Sequence, residues 1–203
     1  MTRSPWPVAG AEVTASEFDA QNSPFDVDTP QLRQAKAAAG IGNCPRSDAD
    51  AESVSGGLPD LTLPCLGGGR NVNLAGLPET LGMPLVINFW AQYCGPCRDE
   101  AGYFAEVNQD LSDQVVVLGI DFQDEPGKAI AFADELGMTY PQLADPAAAT
   151  RGPFQLAALP RTVFVDESGA IAYVEYHPIT SLDQLTGLIA EHLHIENSAG
   201  RGS

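Results

Sequence analysis

Pro84-Leu-Val-Ile-Asn-Phe-Trp-Ala91 is a short, nearly unbroken apolar run, the pattern of a strand covered on both faces, and it delivers Gln92-Tyr-Cys-Gly-Pro-Cys97 to the start of a helix. Pro96 suits an early helical position, and Glu100, Tyr103, Phe104, Val107 and Leu111 recur beyond it at helical spacing. Val115-Val-Val-Leu-Gly-Ile-Asp121 is a second buried-strand run. A strand, a crossover helix and a strand imply parallel pairing.

Toward the C-terminus, a second helix runs from Glu125 to Leu136 and ends at Gly137. The segment Tyr140 to Leu156, rich in Ala and Pro, is expected to be an irregular or briefly helical insert. Arg161-Thr-Val-Phe-Val-Asp166, a turn at Glu167-Ser-Gly169, and Ile171-Ala-Tyr-Val-Glu-Tyr176 form an antiparallel hairpin, followed by a last helix from about Ser181 to His194. Toward the N-terminus, Leu61-Thr-Leu63 and Asn71-Val-Asn-Leu74 flank the turn Gly67-Gly-Gly-Arg70, a small hairpin with Cys65 just before the turn. The fold class is therefore α/β, a mixed central sheet with helices on both faces, spanning residues 58–195. Residues 1–57 are a loop-rich extension with one short helix, Gln31 to Ala39, capped by Asp28-Thr29-Pro30 and stopped by Gly40. Asn43 to Gly57 is polar and acidic and ends in Ser53-Val-Ser-Gly-Gly57, a linker composition that sets the boundary. Residues 196–203 lack apolar periodicity and are expected to be a disordered tail.

The 203 residues suit one domain, and the balance of 10 Lys+Arg against 27 Asp+Glu gives a net charge of −17. That field repels phosphate backbones and anionic lipid, which excludes nucleic-acid binding. No run approaches the ~18 apolar residues of a membrane span. Met1-Thr-Arg-Ser-Pro-Trp6 carries neither the basic nor the apolar region of a secretory signal.

Chemistry concentrates at Cys94 and Cys97. A thiol at a helix N-terminus meets the positive end of the helix dipole and unpaired backbone N–H groups, both of which favour the thiolate. Cys94 is the expected nucleophile. Cys97, nearly one turn on, is placed to attack the mixed disulfide that Cys94 would form with a substrate. Cys44 and Cys65 carry two readings: a structural disulfide tying the extension to the hairpin, or a second redox pair. The first would stabilise by ~3 kcal/mol in the chain-entropy model and imply an oxidising compartment. A four-thiolate zinc centre would need all four cysteines, and Cys44 and Cys65 lack zinc-ribbon spacing.

Val86-Ile-Asn-Phe-Trp-Ala-Gln-Tyr-Cys-Gly-Pro-Cys-Arg-Asp-Glu100, with Leu159-Pro-Arg-Thr-Val-Phe-Val-Asp166 and Gly169, resembles the thioredoxin superfamily, and within it the bacterial extracytoplasmic thiol-disulfide oxidoreductases of the TlpA/ResA/CcmG type. The likeness covers roughly Leu58 to Ile195. Asn88 stands where thioredoxin proper usually has a buried Asp, and Glu100 matches the acidic residue of that branch. The N-terminal hairpin and the insert after the second helix also look like this branch. Tyr93 replaces the more usual Trp, and Gly102 stands where the branch often has a helix-kinking proline.

The resemblance implies a thioredoxin-like fold and a reductase of protein disulfides, with apocytochrome c before haem attachment as one candidate substrate. Cys94 attacks, Cys97 resolves, and Pro160 forms a cis bond facing them. Leu159 offers its backbone to an extended substrate, Trp90 and Tyr93 wall the site with Gly95 and Pro96, and Glu100 accepts the proton of Cys97 if burial lifts its pKa. A metal, flavin or nucleotide cofactor is not expected, and a monomer is. Electrons would pass to or from a membrane dithiol carrier. Family members usually carry a signal or membrane anchor, so the sequence is read as the soluble part of an anchored protein of the cell envelope whose leader lies outside it. A disulfide-donating oxidase uses the same geometry, a thiol peroxidase is a further enzymatic alternative, and a non-catalytic binding module with structural cysteines is the alternative from another class. The three histidines, His177, His192 and His194, are expected at the surface.

Overall fold

A computed structural model describes residues 25–195; residues 1–24 of the extension and the tail 196–203 lie outside the described residues. Five strands form the central sheet in the order β5-β4-β3-β6-β7. These are β3 (Leu85–Trp90), β4 (Val116–Phe122), β5 (Gln142–Asp145), β6 (Arg161–Val165) and β7 (Ile171–Glu175). β3, β4 and β5 are parallel, whereas β6 runs antiparallel to β3 and β7 antiparallel to β6. The buried runs thus pair as their patterns require: Leu85 to Trp90 lie in register with Val116 to Asp121. A separate antiparallel pair, β1 (Thr62–Leu63) with β2 (Val72–Asn73), is the expected N-terminal hairpin.

Alternation along β3 divides the core. Val86 and Trp90 belong to the layer beneath α1 (Pro30–Ala38), α3 (Gly95–Asp110), α4 (Pro126–Glu135) and α5 (Leu182–Leu193), where Phe104, Ile130 and Ile189 meet the sheet. Leu85, Ile87 and Phe89 face the other way, onto the hairpin residues Leu63, Val72 and Leu74, onto Leu77 of the five-residue α2 (Leu77–Leu81), and onto Phe154 and Leu156. The sheet is flanked by helices as expected, with four on one side and one short helix on the other among the described residues.

Helix ends follow local chemistry. Thr29 Oγ1 accepts from the Leu32 amide with Pro30 behind it, and Ser181 Oγ accepts from the Gln184 amide. Gly82 closes α2 in the left-handed conformation at φ 60°, which a glycine adopts without steric cost.

Two expectations are corrected here. Residues 140–156 are not wholly irregular, because Gln142–Asp145 forms β5 and extends the parallel sheet beyond β4. Four residues flanked by Pro141 and Pro146 carry no readable period; their strand character comes from the partner. The segment with linker composition is also tied down. Gly57 bridges Ala170, the Ile171 amide donates to the Gly56 carbonyl at 2.9 Å, and Cys65 bridges Leu143 of β5. Upstream, Val27, Ile41 and Cys44 are buried, so the extension packs onto the sheet domain at these points.

Candidate active site

β3 ends at Trp90, the chain turns through Ala91, Gln92 and Tyr93, and α3 begins immediately after Cys94. Cys94 is the residue that caps α3: its Sγ accepts from the Cys97 amide at 3.2 Å. A sulfur at that place meets an otherwise unpaired N–H and the positive end of a 16-residue helix, which stabilises a thiolate. Cys94 and Cys97 form a disulfide with Cα atoms 5.3 Å apart. Cys94 is the more exposed partner, 8% against 2% for Cys97, so an incoming reactant meets Cys94 first.

The peptide bond Leu159–Pro160 is cis. Leu159 lies with Tyr93, Cys94, Gly95, Pro96 and Ala158 along a groove of about 400 Å³. The far side of the groove holds three residues that sequence reading did not single out: Phe122, Gln123 and Arg151. The Arg151 guanidinium lies 5.0 Å above the Phe122 ring, donates to Gln123 Oε1 at 2.5 Å and reaches the Leu156 carbonyl at 3.4 Å. Nothing local in the sequence marks them, since Arg151 belongs to the insert and approaches Gln123 only through the fold.

Trp90 requires a correction. Its side chain is 1% exposed and turned into the helix layer, where it stacks on Phe132 with ring centroids 5.2 Å apart and donates from Nε1 to Gln142 Oε1 at 2.9 Å. It supports the site from behind and offers a substrate no surface. Tyr93, by contrast, is 58% exposed, and its hydroxyl donates to the Phe122 carbonyl at 3.2 Å. Pro96 and Gly95 are exposed beside it.

Glu100, one turn beyond Cys97, is fully buried. Its Oε1 accepts from Asn88 Nδ2 and its Oε2 from the Ile179 amide, each at 2.8 Å. Burial pushes its pKa up to about 7; the two hydrogen bonds oppose the shift, and Glu175 adds to it. Asn88 therefore holds the buried acid, as its place on the helix-facing side of β3 requires. Two further buried acids, Asp121 and Asp124, lie behind the turn. Asp124 accepts from the Gln92 and Glu125 amides, and Asp121 Oδ1 has no hydrogen-bond partner. Burial, aided by Asp124, raises the pKa of Asp121 well above the usual carboxylate range.

Cys44 and Cys65 form the second disulfide, so the four thiols pair two by two instead of gathering at one centre. His177 and His194 are exposed, whereas His192 is half-buried and stacks on Tyr173 with centroids 4.1 Å apart.

The family model described as the AhpC/TSA family matches residues 54–174. The thiol:disulfide interchange protein DsbE homolog of Paracoccus denitrificans is 33% identical over 107 residues, covering 52% of this chain and 58% of that protein. The thiol-disulfide oxidoreductase ResA of Oceanobacillus iheyensis is 23% identical over 145 residues, covering 71% of this chain and 75% of that protein. Among solved structures, a secreted thiol-disulfide isomerase from Corynebacterium glutamicum aligns with a TM-score of 0.57 at 27% identity, over 68% of this chain and 83% of that one.

Proposed function

The chain belongs to the AhpC/TSA family as a thioredoxin-like member, and from that premise we propose that it is an extracytoplasmic thiol-disulfide oxidoreductase that reduces protein disulfides. The observation that carries this reading is the Cys94 sulfur capping α3 under the Cys97 amide, at the mouth of a groove that ends at the cis Leu159–Pro160 bond. The related thiol-disulfide oxidoreductases and the secreted solved neighbour support both the chemistry and the compartment.

In the reducing direction the Cys94 thiolate attacks one sulfur of a substrate disulfide, that bond breaks, and its electron pair leaves on the other substrate sulfur, which takes a proton. The Cys97 thiolate then attacks Cys94 Sγ of the mixed disulfide, and the substrate departs as a dithiol while Cys94–Cys97 reforms. Glu100 is the acceptor for the Cys97 proton: it is buried, one turn away, and titrates near neutrality. Tyr93, Gly95, Pro96 and Leu159 hold an extended substrate, and Pro160 sets the backbone that meets it. A membrane dithiol carrier restores the thiols, and apocytochrome c awaiting haem fits as a substrate. Among the described residues no helix is long and apolar enough to cross a membrane, so attachment to the envelope would rest on a segment outside them. One copy of the chain carries every named group, which suits a monomer.

The test is the equilibrium reduction potential of Cys94–Cys97 against glutathione, with Cys44–Cys65 followed separately by mass spectrometry. A value near that of thioredoxin, about −270 mV, supports a reductase, whereas one near about −120 mV makes the protein a disulfide donor.

A further inference from the structure

Lys36 is the one buried residue of the alanine-rich α1. Its Nζ donates to Cys65 Sγ at 2.9 Å and to the Gly68 carbonyl at 3.1 Å, and the residue is 5% exposed. Among the described residues it forms no ion pair: Asp28, the acid that acts on it, is engaged by Arg33 through both carboxylate oxygens. A buried ammonium whose nearby acid is engaged by another cation is only partly compensated, and a disulfide sulfur is only a weak acceptor. A thiolate at Cys65 would complete the compensation.

The two sulfurs of this bridge are also unequal. Cys44 is 5% exposed and Cys65 1%, the same ordering as the 8% and 2% of Cys94 and Cys97. As a residue Cys44 is thus little less exposed than Cys94, to which the attack on substrates is assigned. A groove of about 370 Å³ reaches the neighbouring Asn43 and is lined by Asp28, Arg33, Lys36, Ile41 and Gly67, with neither cysteine in its wall. In thiol exchange the sulfur that leaves as the more stable thiolate leaves faster, and here Lys36 touches the less accessible of the two.

We propose that Cys44–Cys65 is a second thiol-exchange site, at which a thiol reductant attacks Cys44 and Cys65 leaves as a thiolate held by Lys36. The attacking thiolate bonds to Cys44 Sγ, the Cys44–Cys65 bond breaks, and its electron pair resides on Cys65 Sγ. A second thiolate of the reductant then attacks the mixed disulfide, displaces Cys44, which takes a proton from water, and the reductant departs as a disulfide. Two electrons enter the protein and the reductant loses two. The chemistry is shared by small thiols and protein dithiols.

The experiment equilibrates the full chain in glutathione buffers of graded ratio and measures each cysteine pair by differential alkylation and mass spectrometry, for the native protein, Lys36→Met and Lys36→Arg. Lys36→Met should make the Cys44–Cys65 pair at least tenfold harder to reduce, about 30 mV for a two-electron couple, with Cys94–Cys97 unmoved and Lys36→Arg near native. An unchanged equilibrium in Lys36→Met, or a pair that stays oxidised where Cys94–Cys97 is fully reduced, overturns the proposal. Should Lys36→Met fail to fold, Cys44→Ser with Cys94–Cys97 kept oxidised leaves Cys65 as the sole thiol. Its thiolate absorbance near 240 nm should then titrate below the ordinary ~8.5, and titration at or above that value overturns the proposal equally. Repeating the equilibration with a reduced thioredoxin-type protein in place of glutathione tells a protein dithiol from a small thiol as the reductant.

Discussion

Cys94–Cys97 spans three residues at the mouth of a groove, whereas Cys44–Cys65 spans 21 and pins the N-terminal segment against β5. In the chain-entropy model the long loop restricts the unfolded chain far more, so the second bridge carries stability and the first carries little. Their surroundings nonetheless share a feature, since each has one sulfur facing positive electrostatics: a helix N-terminus and the Cys97 amide at Cys94, an ammonium at Cys65. Architecture and reactivity are therefore set by different things. Loop length decides what breaking a bridge does to the fold, and the groups touching the sulfur decide how readily it breaks.

The contrast can be broken most sharply by removing each bridge in turn. Cys94→Ser should abolish turnover of a protein disulfide such as insulin and leave the thermal midpoint within a few degrees of native. Replacing Cys44 and Cys65 together by Ala should do the reverse, leaving turnover largely intact and lowering stability by about 3 kcal/mol in denaturant unfolding. Loss of turnover in that second variant would end the division of labour drawn above.

Glu100 gives the next effect. Because burial raises its pKa to about 7, the folded protein holds this proton more tightly than the unfolded chain. Its stabilising contribution is complete below the unfolded value near 4.5 and is lost as pH rises through about 7. Native stability should fall by roughly 3 kcal/mol relative to Glu100→Gln between pH 4 and pH 8, as measured by urea unfolding. The same variant should lose the inflection near neutrality in the rate at which Cys97 displaces substrate from its mixed disulfide with Cys94. An inflection that persists would remove Glu100 as proton acceptor.

The smallest effect is expected at the rim of the groove. Arg151→Ala removes an exposed cation over Phe122, and kcat/KM for a peptide disulfide carrying a nearby acidic side chain should fall by roughly threefold, with a lysine-bearing peptide unaffected. Equal loss for both peptides would mean that the arginine only braces the loop.

The strand that ends in Cys94-Gly-Pro-Cys97, the helix after it and the closing hairpin were legible because apolar runs, proline and caps act locally. β5 was not, since Gln142 to Asp145 becomes a strand only by pairing with β4. Trp90 was misplaced although its alternation with Val86 and Asn88 puts it on the helix side; an aromatic residue beside a reactive motif drew the reading outward. Lys36 was invisible for a different reason. In an alanine-rich helix a lysine reads as solvated, and only the approach of Cys65 from 29 positions away buries it.

The bridges Gly57–Ala170 at the start of β7 and Cys65–Leu143 on β5, with the Leu66 amide donating to the Gln142 carbonyl, bring the ten residues 57–66 to both outer edges of the five-stranded sheet. Unpaired outer strands are templates for intermolecular pairing, and this stretch covers part of each. Detaching it would leave an active thiol pair on a sheet open at two edges, so the first consequence of losing residues 57–66 should be self-association of the chains rather than loss of catalysis.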